Sequence, residues 1–335
     1  MKKIGIALVD DWELRGNGSG SVGELQHKPA LKLMTAYESC GVRGSFTVEV
    51  LQQLAFEKYA PQHPEIKAQA ELWKDTVREF ITRGHDTQLH LHIQWQDAQY
   101  RDGAWQLQKV WSIAQYPESI VAPAIKAGKE YLLNLIHPLK PEHRIRVFRA
   151  GGWAMQPSHI ILEALSREGI EIDISLCRDF FCEETKLPVD YRNLEEPEFP
   201  YYPEFDDITK IASQAGPVIE VPTQTLIPKM SLLLEWAAKI RGQNLRAPFN
   251  LSGLSLAQMK AGIKPIMEKF LSSELEFIPL VLENHTKDQV NFKEVARFID
   301  FVQTSYRENA EFITLTQLRD KIVSNPIKLV RLKNG

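Results

Sequence analysis

The run Gly84-His85-Asp86-Thr87-Gln88-Leu89-His90-Leu91-His92 sets two histidines two residues apart in a stretch with strand character. On an extended backbone alternate side chains share a face, so His90 and His92 project together and can grip a metal ion. His85 has the opposite parity from His90 and reads as structural. The chain also opens with an apolar run, residues 4–9, that leads straight into two adjacent carboxylates, Asp10 and Asp11. A carboxylate and two imidazoles make a three-ligand site. Arg149 closes a later short apolar run, and His285 follows another that ends at Leu282.

These groups need a frame that brings distant segments together. Short β-type runs alternate with amphipathic helical stretches, which predicts parallel strands with crossover helices. Strands are expected at 4–9, 44–48, 87–93, 146–149, 171–174, 277–282 and 312–315, a number that suits an α/β barrel. Helices are expected at 30–39, 64–82, 118–136, 158–168, 257–271 and 292–307, each with apolar residues near helical spacing. In such barrels functional groups sit at the C-terminal ends of strands, and the candidates here obey that rule. Residues 182–222 break the pattern: the run Glu195-Glu196-Pro197-Glu198-Phe199-Pro200 is too rich in proline and acid for a regular element and reads as a loop insertion. The whole chain, 1–335, reads as one catalytic domain.

Composition bounds the function. With 44% hydrophobic and 25% charged residues and a formal net charge of −3, the chain is an ordinary globular protein with no sign of nucleic-acid binding. No segment approaches the ~20 apolar residues that span a bilayer. Asp10 and Asp11 end the first apolar run too early for a signal peptide, so the expectation is a soluble cytoplasmic protein without stable membrane insertion. The three cysteines, Cys40, Cys177 and Cys182, lack zinc-ribbon spacing and read as reduced thiols without chemistry. The basic tail at 328–333 reads as a solvated end.

The order of motifs resembles the polysaccharide deacetylases of the NodB-homology type, carbohydrate esterase family four. Val9-Asp10-Asp11 matches the strand that ends in two aspartates, and Gly84-His85-Asp86-Thr87-Gln88-Leu89-His90 matches the lead into the metal histidines. Arg149-Ala150-Gly151-Gly152-Trp153 fits the Arg-x-Gly-x-Trp motif, and Leu282-Glu283-Asn284-His285 fits Leu-x-x-His. The departures mark a divergent branch. Gln94 stands where the family has its second metal histidine, leaving His92 as the replacement; Trp12-Glu13 follows the aspartates in place of Gly-Pro; and no Asp-x-x-Trp motif appears near Asp173.

The resemblance implies a distorted (β/α) barrel of about seven parallel strands. It implies a divalent metal, with zinc first, held by Asp11, His90 and His92; manganese, iron, cobalt and nickel suit the same ligand types. Asp10 is then the general base, Arg149 pairs with it and keeps it ionised, and His285 is the general acid, tuned by Glu283 or Asp288. Trp153 gives an apolar wall against a sugar ring or acetyl methyl. The implied activity is removal of an acetyl group from an N-acetylated sugar in a glycan or in an activated or lipid-linked precursor. The alternatives are hydrolysis of another amide or imide at the same site, and a glycan-binding homologue that has lost catalysis.

Overall fold

The computed structural model describes residues 3–183, 187–196, 198–227 and 246–333. Its centre is a curled parallel sheet: β1 (Ile4–Trp12), β2 (Ser45–Glu49), β3 (Asp86–Leu91), β4 (Val147–Ala150), β5 (Ile172–Asp173), β6 (Ile219–Glu220) and β7 (Ile278–His285). The spatial order is β6-β5-β4-β3-β2-β1-β7. An eighth strand, β8 (Ala310–Phe312), pairs with residues 4–6 of β1, while β2 pairs with residues 9–12 of β1. The open edges meet at one parallel bridge, Thr223 to Val281, where the Gln224 N–H donates to the Val281 carbonyl at 3.0 Å. The result is a distorted barrel of seven parallel strands with one weak seam.

Alternation along the strands divides the core in two. One face of each strand packs against the helices through Ile4, Ile6, Leu8, Trp12, Phe46, Val48, Leu89, Leu91, Phe148, Leu280 and Leu282. The other face fills the barrel with smaller residues, Ala7, Val9, Val147, Ile172 and Val281. Among the described residues no helix is long and apolar enough to cross a membrane.

Four differences from the sequence expectation bear on the site. β1 runs through Asp10, Asp11 and Trp12, because β7 pairs with it as far as Asp11–His285 and β2 as far as Trp12–Val48. The supposed insertion contains β6, a two-residue strand flanked by Pro217 and Pro222, too short to stand out from a proline-rich stretch. The expected strand at 312–315 ends at Phe312, and a helix, Leu315–Ser324, begins behind the N-cap Thr314, whose side chain accepts from the Gln317 N–H. The helix Val50–Tyr59 was not foreseen. Its buried residues, Val50, Leu51, Gln52, Gln53, Ala55 and Phe56, surround it and leave no apolar stripe to read.

Candidate active site

The inner face of β1 carries Ala7, Val9 and Asp11, and the next side chain of that parity is Glu13. The inner face of β3 carries Gln88 and His90, followed by His92. Glu13, His90 and His92 bring one ligand atom each to within 4.8 Å of one another. Glu13 Oε2 lies 2.5 Å from His92 Nε2 and 3.7 Å from His90 Nε2. Burial alone would push the Glu13 carboxyl up, but His92 and the Lys287 ammonium outweigh it and hold the group well below the usual carboxylate range.

The surroundings orient both rings. His90 Nδ1 faces the Arg149 carbonyl at 2.9 Å, so Nδ1 carries a proton and Nε2 is the nitrogen turned toward Glu13. His90 Nε2 is buried and has no hydrogen-bond partner among the described residues. That is what a metal-directed imidazole nitrogen looks like before its ion is counted. The His92 backbone N–H donates to Glu49, whose other carboxylate oxygen accepts from Leu51 and Gln52 at the start of helix Val50–Tyr59. The His92 ring lies on Gly151: a Cβ there would sit 2.6 Å from Nδ1 and 2.7 Å from Cγ. Two imidazoles and a carboxylate, two of them nearly buried and His92 12% exposed, suit a divalent ion of the zinc type.

A second group adjoins this one. Asp11 accepts from Thr47 Oγ1 at 2.6 Å and lies 3.4 Å from Arg149 Nη1 and 3.6 Å from His285 Nε2. Burial would raise its pKa, yet Arg149, then His90 and His285, hold it below the ordinary value. Arg149 is fully buried and also reaches Glu283 at 2.9 Å and Thr223 at 3.0 Å. Glu283 accepts from Trp153 Nε1 at 3.0 Å and stands 3.3 Å from His285 Nδ1. Asn250 turns its Nδ2 to His285 Nδ1 at 3.1 Å, because Ser252 donates twice to Asn250 Oδ1. In the neutral ring Nδ1 then accepts, and the proton sits on Nε2, facing Asp11.

The structure therefore brings Asp11, His90, His92, Arg149, Trp153 and His285 to one rim. It does not bring Asp10. Opposite parity sends that side chain into the helix layer, fully buried, where Tyr37 Oη donates at 2.9 Å and Asn284 Nδ2 also donates. Burial, against those two hydrogen bonds, raises its pKa to about 7. The expected Arg149–Asp10 pair is replaced by Arg149 with Asp11 and Glu283. Glu13, not Asp11, completes the compact cluster with the histidines, because the longer glutamate one pleat further along reaches between the rings. Trp153 has φ of +57°, a region costly for a bulky residue, and it follows Gly152 at +60°, so its ring is held by a strained turn with its N–H on Glu283. Glu13, Glu49 and Asn250 were missed as site residues. Glu13 had a readable signal, its i+2 spacing from Asp11, and Lys287 had another, its place two residues past His285; Glu49 and Asn250 had none.

No protein-family model matches the chain, and no curated protein does. Solved structures do. A putative polysaccharide deacetylase from Mycobacterium smegmatis aligns over 100% of this chain and 95% of its own at a TM-score of 0.57 and 12% identity. A probable polysaccharide deacetylase from Pseudomonas aeruginosa PAO1 aligns over 96% and 92% at 0.53 and 11%. The Puue allantoinase aligns over 97% and 92% at 0.52 and 10%. The fold is that of the polysaccharide deacetylases. At these identities the likeness extends to architecture alone.

Proposed function

We propose that the chain is a metal-dependent hydrolase that removes an acetyl group from an N-acetylated sugar, in a glycan or a glycan precursor. The observation that carries this reading is the convergence, at the C-terminal rim of a deacetylase-type barrel, of a Glu13–His90–His92 cluster with Asp11–Arg149 and His285–Glu283. Glu13, His90 and His92 would hold the ion, with zinc the best match to that donor set. When bound, a divalent ion supplies Lewis acidity toward the acetyl carbonyl and toward water.

The remaining roles fall to the chain's own side chains. Asp11, kept ionised by Arg149 and oriented by Thr47, is the general base in place of Asp10: it takes a proton as the water oxygen adds to the carbonyl carbon. His285, positioned by Asn250 and Glu283, gives a proton to the amine nitrogen as the C–N bond breaks, so that acetate and a free amine leave. Arg149 touches no substrate in this scheme; it balances Asp11 and Glu283. Trp153 is the apolar wall beside His285, their ring centroids 6.4 Å apart.

The test is metal analysis of protein purified without chelators, followed by acetate release from free, oligomeric and nucleotide-linked N-acetylated amino sugars. One ion per chain is expected, lost in Glu13→Gln and His90→Ala together with acetate release. Turnover of cyclic ureides with no acetate release would transfer the site to another amide chemistry, and a chain that takes up no metal after zinc addition would end the hydrolase reading.

A further inference from the structure

Glu13 divides its two oxygens between different partners. Oε2 faces the imidazoles, and Oε1 lies 2.5 Å from the ammonium of Lys287. Lys287 arrives from the single turn Thr286–Asp288 that follows β7, two residues beyond His285. Its side chain is 15% exposed, and burial is outweighed by Glu13, which holds its pKa above the usual lysine value. A buried ammonium facing a histidine-rich cluster is a charge that a simple metal cage would avoid, because it repels the ion that the cage collects.

We propose that Lys287 is a positioning residue that holds Glu13 to a single ligating oxygen and so keeps a coordination position open in the Glu13–His90–His92 site. The inference rests on the metal reading above. A carboxylate free to rotate coordinates through one oxygen or two. With Oε1 engaged by an ammonium, only Oε2 is available to an ion between the two Nε2 atoms. Three single-atom ligands leave room for an exchangeable fourth, as hydrolytic sites need, whereas a two-oxygen carboxylate moves the site toward closure. The cost is affinity, since the ammonium stands beside the ion.

Cobalt(II) added to the metal-free protein reads both consequences without any substrate. Wild type is expected to show the strong visible absorption of a low-coordinate ion. Lys287→Met is expected to bind cobalt about tenfold tighter while its absorption weakens, as the freed oxygen joins the ion. Lys287→Arg keeps the wild-type spectrum. Lys287→Gln, a second neutral variant that retains a donor, binds tighter with the wild-type band intensity. Equal or weaker binding in both neutral variants, or an unchanged spectrum in Lys287→Met, overturns the proposal and leaves the metal site standing. No cobalt uptake by wild type removes the metal reading and the proposal with it.

Discussion

His85 begins the stretch that holds His90 and His92, yet it titrates for a different reason, and its environment sets a measurable acid limit on stability. Its ring is 1% exposed and packs edge-on to Phe46, with centroids 5.7 Å apart. Nδ1 accepts from the Gly44 N–H at 3.1 Å, and Nε2 donates to Glu38 Oε1 at 3.2 Å. Protonating Nδ1 would set two donors against each other. Burial pushes the imidazole down from 6.5 to about 4, Arg43 and Arg83 add to the depression, and Glu38 opposes it. The unfolded ring takes up its proton below 6.5 and the folded ring only near 4. This contribution is therefore complete above pH 6.5 and is lost as pH falls toward 4. The full difference corresponds to about 3 kcal/mol, most of which has gone by pH 4.5. Glu38, held near 2 first by its hydrogen bonds to Arg83, stays ionised in the folded protein across this window; its own contribution begins to fade only as pH falls through 4.5, where the unfolded carboxyl takes up its proton. Urea unfolding at pH 7 and 4.5 should show wild type losing about 2–3 kcal/mol more than His85→Gln, with the His85 ring titrating near pH 4 by NMR. Parallel losses in the two proteins, or a ring that titrates near 6.5, would refute the burial argument.

Two further outcomes follow from the site. Asp11→Asn should lower acetate release by about 10²-fold or more, the usual worth of a general base, while Asp10→Asn, a change to a carboxyl already half protonated near pH 7, should cost less than about tenfold; the reverse ranking in kcat would restore Asp10 as the base. Gly151→Ala places a methyl against the His92 ring, so zinc affinity should fall by about 10- to 100-fold with His90 untouched; competition against a chromophoric chelator measures this, and unchanged affinity would show that the ring does not need that surface.

Parity explains both what was legible and what was not. The His90–His92 spacing read correctly as a shared face because β3 is regular through Leu91, and the same rule set His85 apart. Applied to β1 it also separates Asp10 from Asp11, so that both cannot be ligands, but it does not show that the strand turns Asp10 into the helix layer by continuing past Val9. Its apolar run stops there; the pairing that extends it comes from β2 and β7, 35 and more residues away in the chain. The deacetylase resemblance identified the fold, and it paired Arg149 with Asp10, whereas the arginine meets Asp11 and Glu283. Glu13 was passed over as a mere departure from a motif. Glu49 and Asn250 sit beside the site through tertiary contacts that no local periodicity records, whereas Lys287 follows His285 by two residues. β6, two residues long and flanked by prolines, offers too little alternation to be recognised, whereas the expected strand at 171–174 did cover the equally short β5.

The buried charges are affordable because the strands change character at one level of the barrel. Val9 gives way to Asp11, Val281 to Glu283 and Val147 to Arg149, and the register places Asp11 opposite His285 and His90 opposite Arg149. Below that level β1, β4 and β7 turn apolar side chains inward; at it Asp11, Glu283 and Glu13 each meet a partner of opposite sign in Arg149 or Lys287. Arg149 shows what depends on this. Replacing it by methionine leaves Asp11 and Glu283 facing each other across a dry interior, and breaking a buried pair from one side costs about 3–5 kcal/mol. Glu283→Gln in the same chain removes one of the stranded charges and should recover part of that loss, so the double variant should be more stable than Arg149→Met alone in urea. A double variant less stable than the single one would mean that Glu283 is held by Trp153 and His285 without help from the arginine, and that the charges at this rim are not balanced as a set.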